Sequence, residues 1–246
     1  MDTVADQFVV AEGSESPIAS YRHTVGLFVI ALVLLGAGLA AQHRPTQGGG
    51  LTNTHASAIP TYFVALIMEA ALLFYVKAGV ARKGIKLLDL CGERWKSSRD
   101  VVRDIVIATG FFLIFEVVGV TLSLVFGQND AKTVDILLPI NLVEILLWIV
   151  VSVTAGFVEE LVFRGYLQRQ LRALTGNVWL AIVGQAAVFA VMHGYQGMQN
   201  VAIIAVLALL FGVLAAWRRS LLPGMMSHAA SDIWGGWLKH LVGFQY

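Results

Sequence analysis

Charged residues are scarce in this sequence, and their scarcity excludes most soluble architectures. Only 13% of the 246 residues are Asp, Glu, Lys or Arg, whereas 57% are hydrophobic and the mean hydropathy is +0.74. A soluble globular domain is typically about a quarter charged. The formal net charge of +1 also gives the chain no overall field that would attract polyanions, so nucleic acid is not an expected partner.

Cysteine and proline are also rare. The single cysteine, Cys91, cannot form an intrachain disulfide or a cysteine-based zinc cluster. Five prolines are too few for proline-rich linkers, and the sequence shows neither an internal repeat nor a separate soluble domain. The remaining class is a polytopic membrane protein in which each polar side chain within the apolar segments needs its own explanation.

Long apolar runs dominate what the sequence does contain. A transmembrane helix needs about 20 mainly apolar residues, and these runs lack the alternation of a membrane β-barrel. The sequence therefore predicts an all-α transmembrane bundle of about seven helices, within a range of six to eight. Eight helices would result if the stretch 136–172 broke in two. Residues 1–23 are predicted to be a polar tail, and residues 24–246 a single transmembrane domain. The predicted spans are 24–41, 59–78, 104–126, 136–158, 178–193, 200–217 and 222–242.

The basic residues predict an orientation in the membrane. Most Lys and Arg residues fall on one side of a seven-span topology, and loops rich in these residues stay in the cytoplasm. Only Arg44, Lys132 and Lys239 fall on the other side. The N-terminus is therefore expected in the cytoplasm and the C-terminus outside, although the second expectation depends on the span count.

A few ionisable side chains fall within or at the ends of the predicted spans, where each costs about 2.5–3.5 kcal/mol and usually faces a partner or a cavity. Glu69, Glu116 and Glu144 are isolated in the sequence, and a hydrogen bond between helices or at the interface is the simpler interpretation for each. The others form three short groups, which contain Glu159, Glu160 and Arg164, then His193, and finally His228 and Asp232.

Helical spacing predicts which members of these groups can pair. Glu160 and Arg164 are four residues apart and share a helix face, whereas Glu159 points about 100° away. An interfacial ion pair would explain Glu160 and Arg164, but it leaves the neighbouring carboxylate unexplained. His228 and Asp232 are also four residues apart, so they could simply pair with each other.

The depth of His193 can be compared with that of Glu159 through a predicted turn at residues 175–177. Taken alone, His193 is most simply a hydrogen-bonded histidine at the edge of an apolar helix. However, Glu159 and His193 are each 17 residues from Gly176, or about 25 Å along the helices of an antiparallel hairpin. The two side chains are then expected at the same depth in the membrane. The spacing does not determine the depth of His228.

A carboxylate, two imidazoles and an Asp in a cavity of low polarity fit a hydrolase that activates water. Glu can act as the general base, one His can relay protons, and a second His can donate to an oxyanion. Glu159, His193 and His228 would also be a valid ligand set for a divalent metal such as zinc. The sequence contains no HExxH, GxSxG or P-loop motif, so this set is the only hydrolytic constellation it offers.

In their order and spacing, the segments EELVFR, FAVMH and HAASD resemble the three motifs of the CAAX protease and bacteriocin-processing family. That family includes the type II CAAX prenyl endopeptidases, and its pattern is EExxxR, FxxxH and then HxxxN or HxxxD. The resemblance covers about residues 136–240, the catalytic-like core. It implies an intramembrane endopeptidase whose site opens toward the cytoplasm, with Glu160 and Arg164 holding the first helix.

The resemblance also implies a role for each remaining site residue. Glu159 and His193 would activate water, while His228 and Asp232 would stabilise the oxyanion. Prenyl-processing members carry Asn at the position of Asp232, and an ionised Asp is a poor oxyanion donor, so Asp232 could instead orient His228 or stay protonated. Family members were first described as metal-dependent, but a metal-free glutamate mechanism suits the spacing equally well and is preferred here, with no cofactor.

The resemblance further implies where the protein acts and on what. The expected partners are membrane lipid and a peptide or membrane-anchored protein substrate, which could be lipidated at its C-terminus. The expected location is a bacterial inner membrane. Two alternatives remain open at this stage: a non-catalytic immunity or partner-regulating protein that uses the polar cluster structurally, and a transporter or proton relay. The transporter is disfavoured because the sequence lacks paired half-helices.

Overall fold

A computed structural model describes residues 16–42, 57–126 and 138–238. Most of the predicted polar tail therefore lies outside the described residues, as do Arg44, Lys132 and Lys239. The same holds for the last residues of the seventh predicted span.

Seven helices form the described part of the chain, in agreement with the predicted all-α bundle. Four of them (the second, third, fourth and sixth) are long and apolar enough to cross a membrane, whereas the fifth is a shorter apolar helix of 15 residues. The described ranges contain no strand, only an isolated bridge between Gly92 and Ser220. The helices are α1 (Tyr21–Gln42), α2 (Ile59–Ala81), α3 (Ser98–Phe126), α4 (Leu142–Thr175), α5 (Val178–Met192), α6 (Met198–Arg218) and α7 (Leu222–Ile233).

Two helix starts differ by six residues from the starts of the predicted spans. α3 begins at Ser98 rather than at residue 104, because the Asp100 carboxylate accepts hydrogen bonds from the backbone of Lys96 and Ser97 and so stabilises a polar first turn. α4 begins at Leu142, six residues after the predicted start at 136. There the side chain of Asn141 caps the helix by accepting from the backbone N–H of Glu144.

α4 continues without a break to Thr175, so residues 142–175 do not divide into the two pieces that the eight-span alternative needed. Its middle, Glu160–Gln168, is π-helical, and all nine residues of this segment are buried. π-Helix normally occurs as a single-turn bulge within an α-helix, often at a functional site. Here it covers the first motif from Glu160 to Arg164 and buries these two polar residues against the neighbouring helices.

α4 and α7 cross closely because small residues line their contact. A Cβ atom added at Gly156 would lie 2.7 Å from the backbone nitrogen of Ala229, and one added at Gly224 would lie 3.2 Å from Oε2 of Glu160. Larger side chains at these positions would force the helices apart. The close crossing places the first and third motifs side by side.

The loop between α2 and α3 fixes the start of α7. The backbone N–H of Leu221 donates to the carbonyl of Cys91 over 2.9 Å. The Arg218 guanidinium donates to Asp104 over 2.9 Å and to Glu93 over 3.1 Å. These contacts hold the turn between α6 and α7 and therefore set the height of the third motif relative to the first.

Candidate active site

A buried ion pair forms the closed end of the polar cluster. Nη1 of Arg164 lies 2.9 Å from Oε1 of Glu160, and Nη2 donates to the carbonyl of Ala208 on α6 over 3.2 Å. The guanidinium carbon also lies 4.7 Å from the ring centroid of Phe189 and 5.0 Å from that of Phe211. Arg164 is therefore held by a carboxylate, a carbonyl and two aromatic faces, which together replace the water it has lost.

His228 joins this ion pair to the rest of the cluster. Its Nδ1 lies 3.1 Å from Oε1 of Glu160, while its Nε2 lies 3.5 Å from Oε2 of Glu159 and 3.8 Å from Oδ2 of Asp232. Each ring nitrogen thus faces at least one carboxylate. Glu159, which the helical spacing left without a partner, meets the third motif directly.

Exposure increases steadily along the cluster. The exposed fractions of the side chains are 0% for Arg164, 1% for Glu160, 10% for His228, 14% for Glu159 and 36% for Asp232. The ion pair is therefore dry, and access to the cluster comes from the side of Asp232. A substrate carbonyl that approached along this direction would meet Nε2 of His228 and the carboxylate of Glu159.

His193 lies beside this cluster but is not paired within it. Its Nδ1 is 2.9 Å from the carbonyl oxygen of Phe189, and its ring packs 4.5 Å from the Phe189 ring and 6.1 Å from that of Tyr195. A carbonyl can only accept, so Nδ1 carries the hydrogen and Nε2 of the neutral ring is an acceptor. In the described part of the chain His193 forms no ion pair with a carboxylate, and the Phe189 ring lies next to both histidines, 6.2 Å from His228.

Among the three isolated glutamates, Glu144 has the simple structural role that was expected. Its Oε1 accepts from the Ser57 hydroxyl over 2.8 Å, and its Oε2 accepts from the backbone N–H of Ile140 over 3.0 Å. Ser57 lies just before α2, whereas Glu144 is in the first turn of α4. The carboxylate therefore joins the starts of two helices.

Glu69, by contrast, lies close to the cluster, in line with the contact between helices that was expected of it. Its side chain on α2 is buried and lies within electrostatic range of Glu159 on α4 and of Asp232 on α7. Glu116 on α3 also interacts with Asp232. The one signal in the sequence was an acidic residue in the middle of an apolar span, and this signal could not say which of the three isolated acids reaches the site.

The residue positions do not assemble the three-ligand metal set. Glu159 and His228 are neighbours, and the Phe189 ring lies 4.5 Å from the His193 ring and 6.2 Å from that of His228. Within residues 16–42, 57–126 and 138–238, no three His, Cys, Asp or Glu side chains are grouped as metal ligands.

Comparison with known proteins agrees with this geometry. Residues 141–234 match the family model described as type II CAAX prenyl endopeptidase, Rce1-like. The resemblance seen in the three motifs is confirmed. Searches of curated proteins and of solved structures found no match.

The Rce1-like segment contains α4 to α7 and the three motifs. With its long apolar helices, this match identifies the chain as an integral membrane protein. α1, α2 and α3 lie outside the matched segment, and with them Glu69 and Glu116.

Proposed function

We propose that this protein is an intramembrane endopeptidase that hydrolyses a peptide bond of a membrane-associated or C-terminally lipidated substrate. The observation that carries the proposal is the position of His228 among Glu159, Glu160 and Asp232, inside the Rce1-like segment. A cluster that only stabilised the fold would need to do no more than pair its own charged groups with one another. This cluster also leaves a carboxylate and an imidazole nitrogen facing its open side.

Glu159 is the proposed general base. Its carboxylate takes a proton from water as the water oxygen bonds to the substrate carbonyl carbon, and the carbonyl π electrons move to the oxygen. Nε2 of neutral His193, an acceptor because Nδ1 donates to Phe189, would hold the second hydrogen of this water. When the C–N bond breaks, the proton on Glu159 passes to the leaving amine.

His228 is the proposed oxyanion donor. In its imidazolium form, His228 donates from Nδ1 to Glu160, which holds the ring, and directs Nε2–H toward the open side near Glu159 and Asp232. A fixed N–H donor aimed at developing negative charge contributes strongly in a site of low polarity. Arg164 in turn fixes Glu160, while Asp232 lies on the side from which substrate would enter and could orient the ring.

We propose that no metal takes part in these steps, because the acid–base groups alone supply a base, a donor and a water acceptor. The proposal predicts that purified protein keeps its cleavage rate after extended treatment with a zinc chelator. A rate that falls with chelation and returns with added zinc would instead favour Glu159, His193 and His228 as metal ligands.

The proposed location is a bacterial inner membrane, with the arginine-rich loops and the N-terminus in the cytoplasm. One cavity of about 360 Å³ is lined by the α2–α3 loop, by Arg169 and Arg172 of α4, and by Arg219 after α6. These basic residues therefore share one side of the bundle, as a cytoplasmic face requires. Labelling of cysteines introduced at Arg94 and at Gly176 from the inside only would support this orientation.

The test of activity uses the full chain in liposomes with two probes, a prenylated peptide ending in a CAAX sequence and an unprenylated membrane-anchored peptide. Glu159→Gln should lower the cleavage rate about 10²–10⁴-fold, the range of general-base catalysis. Glu144→Gln is the matched control, because that carboxylate lies in the first turn of α4, outside the polar cluster, and accepts from Ser57 and from the backbone of Ile140. Cleavage by Glu159→Gln at the wild-type rate, or no cleavage of either probe by the wild type, would contradict the proposal.

A further inference from the structure

We propose that the cavity between the α2–α3 loop, the end of α4 and the α6–α7 turn binds a phosphate group, carried by an anionic lipid or free in solution. The volume of this cavity, about 360 Å³, lies within the range of about 300–1,000 Å³ that is typical of small-molecule sites. Arg169, Arg172 and Arg219 line it, and so does Arg164. The cavity therefore lies directly behind the closed end of the polar cluster, and the inference does not depend on the proposed endopeptidase function.

Two of these arginines have a charge that no carboxylate matches. The guanidinium of Arg169 donates over 3.1 Å to the carbonyl of Asp89, which is a neutral acceptor. In the part of the chain that the structure describes, neither Arg169 nor Arg219 forms an ion pair with an acidic side chain. A guanidinium pairs with phosphate oxygens through two parallel N–H···O bonds. Two unmatched arginines at one cavity are therefore suited to hold a phosphate group.

The two acids that line the same cavity are engaged with other groups. Glu93 faces α6, where its Oε2 lies 3.1 Å from Nη1 of Arg218. Oδ2 of Asp89 accepts from the backbone N–H of Lys86 over 3.0 Å and so caps the helical turn Leu87–Cys91. The cavity therefore keeps an excess of positive charge, which favours an anion over a neutral or cationic ligand.

The inner wall of the cavity provides a second, independent observation. It contains Arg164 and Gln168, which are 2% and 6% exposed. Nε of Arg164 and Oε1 of Gln168 are buried, and neither has a hydrogen-bond partner among the described residues. Buried polar atoms without partners are costly and rare. A phosphate oxygen can accept from Nε of Arg164, and a hydroxyl of a glycerol headgroup or of monoprotonated phosphate can donate to Oε1 of Gln168.

The walls of the cavity are held in place by the backbone. The N–H of Glu93 donates to the carbonyl of Arg219, and the N–H of Leu221 donates to that of Cys91, each over 2.9 Å. Gly92 lies between these bonds with a φ of +73°, and a Cβ there would collide with the carbonyl of Arg219. Because the walls are already fixed, a ligand would bind without having to order them.

Exposed apolar side chains beside the cavity favour a lipid as the carrier of the phosphate. Leu88, Leu174 and Leu180 are 55%, 46% and 58% exposed, and each lies within two residues of a residue that lines the cavity. Basic pockets between transmembrane helices are known sites for the headgroups of anionic lipids. A lipid held there would place its phosphate among the arginines and its acyl chains along these leucines.

The experiment measures binding to the full chain in micelles of an uncharged detergent. The probes are dioleoyl phosphatidylglycerol and sodium phosphate, with ionic strength held constant by sodium chloride. At least one probe should raise the melting temperature of the wild type saturably. An effect of the lipid identifies the headgroup as the ligand, and an effect of sodium phosphate alone identifies the free anion. The double variant Arg169→Gln with Arg219→Gln should weaken the apparent Kd about 30-fold, as expected for two lost arginine–phosphate contacts.

The matched control is Arg82→Gln with Arg99→Gln, which removes the same charge from exposed positions at the two ends of the α2–α3 loop, outside the cavity. It should bind the probe as the wild type does. Equal weakening in both double variants would overturn the proposal, because the probe would then respond to overall charge. The absence of any melting shift in the wild type would overturn it as well. Should the cavity variant fail to fold, Arg219→Gln alone decides, with an expected loss of about 5-fold; unchanged binding by this single variant would again contradict the site.

Discussion

The two ends of the polar cluster differ in charge balance and in access to solvent. At the closed end, the carboxylate of Glu160 is matched by the guanidinium of Arg164, and both side chains are almost fully buried. At the open end, Glu69, Glu159 and Asp232 gather on the other side of His228. The imidazole is the one group that contacts both ends.

This difference shows how the chain could separate support from chemistry. A balanced, hydrogen-bonded ion pair has a fixed geometry and no reason to exchange protons. An excess of carboxylates around one imidazole cannot satisfy itself, because acids supply acceptors and few donors. Such a group is stable only while it shares protons, and protons that can be shared are what a hydrolytic site needs.

The largest expected effect comes from breaking the closed end. Arg164→Met leaves Glu160 buried beside a single imidazole and removes the contacts to Phe189 and Phe211. Removing one partner of a buried ion pair typically destabilises by about 3–5 kcal/mol. The free energy of unfolding, measured by SDS titration in mixed micelles, should fall by this amount.

Its control is the double variant Glu160→Leu with Arg164→Met, which removes both charges. The double variant should recover part of the lost free energy, since no unpaired carboxylate remains. A double variant that is less stable than Arg164→Met would show that Glu160 is held mainly by other contacts.

An intermediate effect is expected from separating the two motifs. Gly156→Ala adds a Cβ that would lie 2.7 Å from the backbone nitrogen of Ala229, so α4 and α7 must move apart. Overpacking of this kind typically costs about 1–3 kcal/mol. Cleavage should fall as well, because His228 would move away from Glu159. Gly110→Ala on α3 is the matched control, since a Cβ there meets nothing within 4 Å. If both variants unfold alike, the close crossing does not hold the motifs together.

Much of the fold and of the site could be predicted from the sequence, because membrane helices follow apolar length and ion pairs follow helical spacing. The seven helices and the Glu160–Arg164 pair are of this kind. The position of His228 could not be predicted from the sequence. Its depth depends on the ion pair between Arg218 and Asp104 and on the close approach of two helices at Gly156. These are contacts between distant segments, which no local pattern encodes.

Glu69 shows a second limit. Glu69 and Glu144 look alike in the sequence, as single acids in apolar runs, yet one lies near Glu159 and the other joins the starts of two helices. The outcome for Glu69 depends on the rotation of α2 about its own axis. That rotation is set by packing against α4, so it could be read only from the assembled bundle.

The smallest effect is expected from a substitution at the open end of the polar cluster. Asp232→Asn removes one acid from the crowded side but keeps the shape of the side chain. Because Asp232 is 36% exposed and lies 3.8 Å from His228, the free energy of unfolding should change by no more than about 1 kcal/mol. Asn also supplies an N–H donor, so cleavage should stay within about 10-fold of the wild type. If cleavage were lost while stability stayed unchanged, the negative charge of Asp232 would be needed to orient His228. The excess of acids at the open end would then serve to position the oxyanion donor.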